Sequence, residues 1–167
     1  MKRTIIQIAV ALCLVLVVHE VRAQSSKPSD PPLRDVKTVQ IDPTVIPSPE
    51  KVKDESAANL MQDSLRNAFR SANIGVADSA PVHAHIVLEE FTSGSSAKRF
   101  LVGFGAGRST IDCQLVLQDA DGKELKSVSI HVRGNLAFSP YQGNNTQRRQ
   151  AVNSFDQRLL EEIEKMR

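Results

Sequence analysis

Residues 110–132 read TIDCQLVLQDADGKELKSVSIHV, and two strands joined by a turn account for them. Ile111, Cys113, Leu115 and Leu117 recur at every second position, as do Val128, Ile130 and Val132 further on. That period of two is the mark of a strand with one buried face. Between the runs, Asp121-Gly122 is a strong hairpin signal. A two-residue loop there pairs Ala120 with Lys123. It sets Ile111 opposite Val132, Cys113 opposite Ile130 and Leu115 opposite Val128, three apolar pairs on one sheet face. A three-residue loop would set Cys113 opposite Ser129 and break the match. A four-residue loop keeps the parity.

Working outward, residues 82–91 alternate Val82, Ala84, Ile86 and Leu88 with His83, His85 and Glu89, which predicts another half-buried strand. Residues 53–72 place Ala57, Leu60, Met61, Leu65, Ala68, Phe69 and Ala72 at steps of three and four, the stripe of an amphipathic helix. Gly75 ends it or the turn after it. A second stripe, Ala151, Val152, Phe155, Leu159, Leu160, Ile163 and Met166, predicts a closing helix over 146–166. Residues 36–41 make a short first strand, stopped by Asp42-Pro43. The order β-α-β-β-β-α predicts an α+β fold, an antiparallel sheet of about four strands with two amphipathic helices on one face.

The chain has 167 residues, and the first 23 have the grammar of a signal peptide. Lys2 and Arg3 precede an apolar run over 5–18, and Val21-Arg22-Ala23 closes it, so cleavage is expected after Ala23. The run is short for a membrane span. Residues 24–35 are Pro- and Ser-rich and read as a flexible tether, which leaves 36–167 as a single α+β domain. Removing the leader leaves 18 basic and 18 acidic residues. A charge-neutral chain with one Tyr and no Trp lacks the cationic, aromatic surface that nucleic-acid binding requires. Cys113 is then the only cysteine, which excludes an internal disulfide and multi-thiolate zinc sites. It reads as a small buried apolar residue.

Residues 95–109, SSAKRFLVGFGAGRS, hold three of the eight glycines at Gly103, Gly105 and Gly107, flanked by Lys98, Arg99 and Arg108. Phosphate loops lie between a strand and a helix N-terminus, whereas this segment runs into a strand pattern. If residues 100–118 continue as extended chain, Phe100, Val102 and Phe104 point away from the helices, and a bulge at any glycine reverses that. An apolar face rimmed by polar groups is what an interaction surface looks like. Phe100, Val102, Phe104 and Tyr141 are therefore the candidate interaction residues. Lys98, Arg99, Gly103, Gly105, Gly107 and Arg108 are the candidates for binding a small anion or phosphate-bearing ligand.

The run Arg99-Phe-Leu-Val-Gly-Phe-Gly-Ala-Gly-Arg108, with the strand and the Asp-Ala-Asp-Gly-Lys turn after it, resembles a domain-of-unknown-function family of bacterial envelope proteins. Its members are exported proteins and lipoproteins, and the resemblance covers residues 36–166. The element order is also similar to small periplasmic domains such as the amino-terminal domain of TolB and CsgG-like lipoproteins. These likenesses imply a periplasmic or cell-envelope location and bring no catalytic residues. The chain departs from the lipoprotein members at Cys13, where Leu12 is a poor neighbour for lipid attachment.

Other constellations read as structural. His83 and His85 share a strand face, but a metal needs three or four ligands and only Glu89 and Glu90 lie near in sequence. Asp112 faces His131 in the favoured register, a charge pair. Consecutive strand residues point to opposite faces, so Glu89-Glu90 cannot act together, and Glu161-Glu162 lies on a helix's wet side. Arg148 and Arg149 read as solvated. The expectation is a non-enzymatic exported envelope module that binds a protein or another envelope component, with homo-oligomerisation an option. No cofactor, metal, nucleic acid or stable membrane span after cleavage is expected.

Overall fold

The computed structural model describes residues 31–52, 54–93, 109–134 and 144–167. Residues from Pro31 to Arg167 form one compact unit. Its elements are β1 (Thr38–Ile41), a 3-10 turn (Pro49–Lys51), α1 (Ala57–Ser71), β2 (Gly75–Val76), β3 (Val82–Ser93), β4 (Ser109–Asp119), β5 (Glu124–Arg133) and α2 (Asn144–Lys165). The class is α+β as expected, and the sheet has five strands in the order β2-β1-β3-β4-β5.

The sheet is mixed rather than wholly antiparallel. β1 runs parallel to both β2 and β3, while β3, β4 and β5 form the antiparallel part. α1 lies between β1 and β3 in the chain and supplies the crossover that a parallel pair needs. The additional strand, β2, is only two residues long, too short for an alternation to announce it. No helix among the described residues is long and apolar enough to cross a membrane.

Both helix stripes and one sheet face meet in a single core. Phe69, Met61 and Leu65 of α1 and Phe155, Leu159 and Ile163 of α2 are buried with Ile86, Phe91, Ile111 and Leu115 of the sheet. α1 is closed at Asn73, whose φ of 58° is left-handed, and Gly75 follows the closing turn and opens β2. The Ile74 N–H bonds the Phe69 carbonyl at 2.9 Å and the Asn73 N–H bonds the Arg70 carbonyl at 3.0 Å. This is the paired closure of a Schellman cap, with buried Ile74 and Phe69 as its apolar contact.

The β4–β5 register is the expected one over its length: Ile111 opposite Val132, Cys113 opposite Ile130, Leu115 opposite Val128. The loop is not the two-residue turn. The Asp119 N–H bonds the Lys123 carbonyl, so Ala120, Asp121 and Gly122 form the loop. Gly122 has φ of 81°, the left-handed position of a three-residue hairpin. The register then shifts between Leu117 and Gln118. Leu125 is the extra residue, and this bulge restores the parity that the loop alone would break.

A second bulge lies in β3 at Glu89, between the Leu88–Cys113 and Glu90–Asp112 pairs. It turns the buried face from even to odd positions, so Leu88 and Phe91 are both in the core. Glu89 and Glu90 therefore both stay outside it, where unbroken alternation would have opposed them.

The docked chain reaches back beyond Val36. Leu33 is 1 % exposed, and its N–H bonds the Met166 carbonyl at 2.8 Å. The Arg167 guanidinium donates to the Ala72 carbonyl at 2.7 Å, closing the end of α1. The two helices run in the same direction, since Arg148 near the start of α2 reaches Asp54 just before α1.

Candidate functional site

These contacts give the domain two distinct ends. At one lie Leu33, the C-termini of both helices and the start of β3, which pairs with Asp119 beside the β4–β5 loop. At the other lie the end of β3, the start of β4, the end of β5 and the starts of both helices. All ten residues singled out from sequence belong to connections attached at this second end. Lys98, Arg99, Phe100, Val102, Gly103, Phe104, Gly105, Gly107 and Arg108 fall within 94–108, and Tyr141 within 135–143. Both segments lie outside the described residues.

The attachment points are well defined. Ser93 pairs with Ser109, so residues 94–108 leave and re-enter the sheet at one antiparallel pair. Gly134 donates to the Ser109 carbonyl at 2.7 Å, and residues 135–143 depart from there. A Cβ added at Gly134 would lie 3.4 Å from the Ser109 Cβ and carbonyl oxygen, so the two backbones run within van der Waals reach here. Ser109 is buried, and its hydroxyl has no hydrogen-bond partner among the described residues. The Thr110 N–H bonds the Thr92 hydroxyl at 3.2 Å, tying the same strand ends together. The described chain resumes after the glycine segment as a strand, β4, which Ser109 opens.

Beside these attachment points stands Arg148, which sequence reasoning placed in solvent. Its guanidinium lies over the Phe91 ring, 5.8 Å from the centroid. It donates to Asp54 Oδ2 at 2.8 Å and to the Ser56 hydroxyl at 2.9 Å. Asp54 in turn accepts the Ser56 hydroxyl at 2.6 Å and the Ser56 N–H at 3.0 Å. The Ser56 hydroxyl contributes most to holding the Asp54 carboxyl below the usual aspartate range, with the Ser56 N–H and Arg148 adding to it against a desolvation penalty. No local signal marks Arg148, because Phe91 and Asp54 lie far from it in sequence.

The sheet face away from the core carries cross-strand polar pairs. His83 Nδ1 lies 3.0 Å from Asp42 Oδ2, and Gln40 donates to Asp42 Oδ1 at 2.9 Å. His131 pairs with Asp112 as the register predicts. Gln114 donates to Glu89 at 2.9 Å. Pairs of this kind fix strand order and register. Among the described residues, no three His, Cys, Asp or Glu side chains form a group able to hold a metal ion. Cys113 lies on the opposite, buried face, and burial above all pushes its thiol up to about 12, with Asp112 and Glu89 adding to the rise.

No curated protein matches the chain. Among solved structures, the PelC dodecamer of Paraburkholderia phytofirmans superposes with a TM-score of 0.54 at 15 % identity, covering 79 % of this chain and 92 % of that one. A second PelC dodecamer from the same organism, carrying one substitution, gives 0.54 at 12 % identity over 78 % and 86 %. A Xanthomonas campestris protein of the DUF330 family model gives 0.48 at 13 % identity, over 84 % and 86 %. The PelC likeness is one of fold. Residues 20–136, more than half of the chain and including the glycine segment and the β4–β5 hairpin, match the family model described as a domain of unknown function, DUF4410, and the chain belongs to that family.

Proposed function

We propose that the protein is a non-enzymatic, exported module of the cell envelope that works by binding protein, with copies of itself among its partners. The observation that carries this reading is the shared attachment of both connections beside Ser109. The apolar Phe100, Val102, Phe104 and Tyr141 belong to those connections. Binding residues concentrate on loops held by a rigid scaffold, and a core-packed sheet with two helices is such a scaffold. Export follows from the signal-peptide grammar of residues 1–23. Self-association is supported by the PelC dodecamer, whose fold this chain shares.

The test is native mass spectrometry on the chain recovered from the envelope, beside a Phe100→Ser/Phe104→Ser double variant. We expect the wild type to carry a second protein chain, its own or another. The double variant should lose it while keeping its melting temperature. A wild type that runs as a bare single chain overturns the reading. So does a double variant that unfolds, because those side chains would then be core.

A further inference from the structure

We infer that copies of this chain join through the outer edge of β5, which no other described strand pairs with, strand against strand across a two-fold axis. The inference rests on the self-association proposed above and names the surface that performs it.

The two margins of the sheet differ. Opposite β5, the edge strand β2 is only two residues long, and past β1 the chain continues along β3: Asp42 N–H bonds the Ala84 carbonyl, Val45 exchanges bonds with Ile86 and Leu88, and Val52 bridges Phe91. This margin holds Pro43, Pro47 and Pro49. Proline cannot donate to a new strand, and natural sheets use it to blunt an edge. The other margin is β5, ten residues long and free of proline.

The backbone polarity of β5 follows from one bond. Gly134 donates to the Ser109 carbonyl, so in the antiparallel alternation Val132, Ile130 and Val128 direct their N–H and C=O groups to β4. Those of Ser127, Ser129, His131 and Arg133 face away. The usual blunting devices, a lysine and a bulge, occur only near the hairpin, at Lys126 and Leu125. Strand pairing can therefore use the stretch that starts at Ser127.

This stretch complements itself. With Ser129 on the two-fold axis, Ser127 opposes His131 of the second copy, and Val128 opposes Ile130. The paired stretch is thus Ser127–His131, and beyond it Val132 and Arg133 meet Lys126 and the bulge at Leu125, where pairing ends. No like charges face each other, so the repulsion that opposes strand pairing is absent. Both core faces fall on the same side of the joined sheet. Val128, only partly buried in one copy, gains an apolar neighbour. A two-fold contact of this kind is closed and gives a dimer, from which larger even-numbered assemblies need a second interface.

The test uses the full chain recovered from the envelope, with Ser129→Pro and Ser129→Cys variants. Proline at Ser129 removes an N–H that faces away from β4 and bonds no described strand. We expect native mass spectrometry to show wild type in multiples of two chains and Ser129→Pro in species of half that mass, with circular dichroism unchanged. Ser129→Cys should give a disulfide-linked dimer on mild oxidation, since paired strands hold opposed Cα atoms about 5.5 Å apart. Wild type with the leader, and so Cys13, removed should give no such dimer, because Cys113 is buried. A wild type made of single copies overturns both this inference and the self-association it rests on. Assembly that survives Ser129→Pro, or an odd-numbered wild type, overturns the edge alone. If the proline variant unfolds, the Ser129→Cys cross-link decides, and its absence from an assembled protein overturns the edge.

Discussion

The guanidinium of Arg148 stands 5.8 Å from the centre of the Phe91 ring while its Nη2 donates to Asp54 Oδ2 at 2.8 Å. One side chain thus joins the first turns of α2, the end of β3 and the turn that begins α1. Both long connections attach at this end, so the contact steadies the frame from which they depart.

Arg148→Ala should lower stability by about 1–2 kcal/mol, combining a cation–π contact with a partly exposed ion pair. Arg148→Lys keeps the charge but not the planar stacking or the two-way hydrogen bonding, and should recover less than half of the loss. Urea unfolding of the three proteins measures this. Equal midpoints for wild type and Arg148→Ala would show that the contact is incidental.

Asp54 makes the same contact sensitive to acid. Its carboxyl titrates below the ordinary 3.8, first because it accepts the Ser56 hydroxyl. A carboxyl depressed in the folded state contributes stability above its unfolded value and loses it as pH falls through the folded one. The contribution is therefore complete near neutrality and declines below about pH 4. Asp54→Asn should be less stable than wild type at neutral pH, with the gap narrowing in acid. Urea midpoints measured from about pH 7 down to about pH 3 test the sign; a gap that widens in acid contradicts it.

The core-facing half of the fold was legible because apolar residues repeat with the period of their element. Ile111, Cys113 and Leu115 found Val132, Ile130 and Val128 despite a misread loop, since register answers to face burial and the Leu125 bulge absorbed the difference. Bulges themselves leave little trace. Glu89 is extra in β3, yet nothing in the Leu-Glu-Glu-Phe run distinguishes a bulge from plain alternation. Asn73 closes α1 ahead of Gly75, because asparagine also tolerates the left-handed region. Arg148 was hidden for another reason: its partners converge only when three distant segments fold together. The candidate binding residues stood out by composition alone, and only their attachment points have become structural facts.

Leu33 shows the same limit at the N-terminal side. Proline and serine around it suggest a loose tether, yet its side chain is buried and its N–H is bonded to Met166. Leu33→Ala should cost about 2–5 kcal/mol, the range for emptying a buried leucine site. Leu125→Ala serves as the control, since Leu125 is 39 % exposed and an exposed substitution should stay within about 0.5 kcal/mol. Thermal melts of both variants decide the matter. Equal shifts would place Leu33 outside the cooperative core.

Cys113 supplies a readout from inside the sheet. Burial raises its thiol from 9.0 to about 12, so the folded protein keeps the proton over a range in which the unfolded chain releases it. With more protons on the native state, stability must fall as pH climbs between those two values. Cys113→Ala removes that dependence, at the cost of a small cavity beside Ile130 that lowers stability at every pH. Its alkaline slope should therefore be shallower than that of wild type although its neutral midpoint is lower. At about pH 8, iodoacetamide should label the wild-type thiol only in denaturant, because reaction needs an accessible thiolate. Rapid labelling of the native protein would mean that the β4–β5 face opens to solvent far more readily than its packing implies.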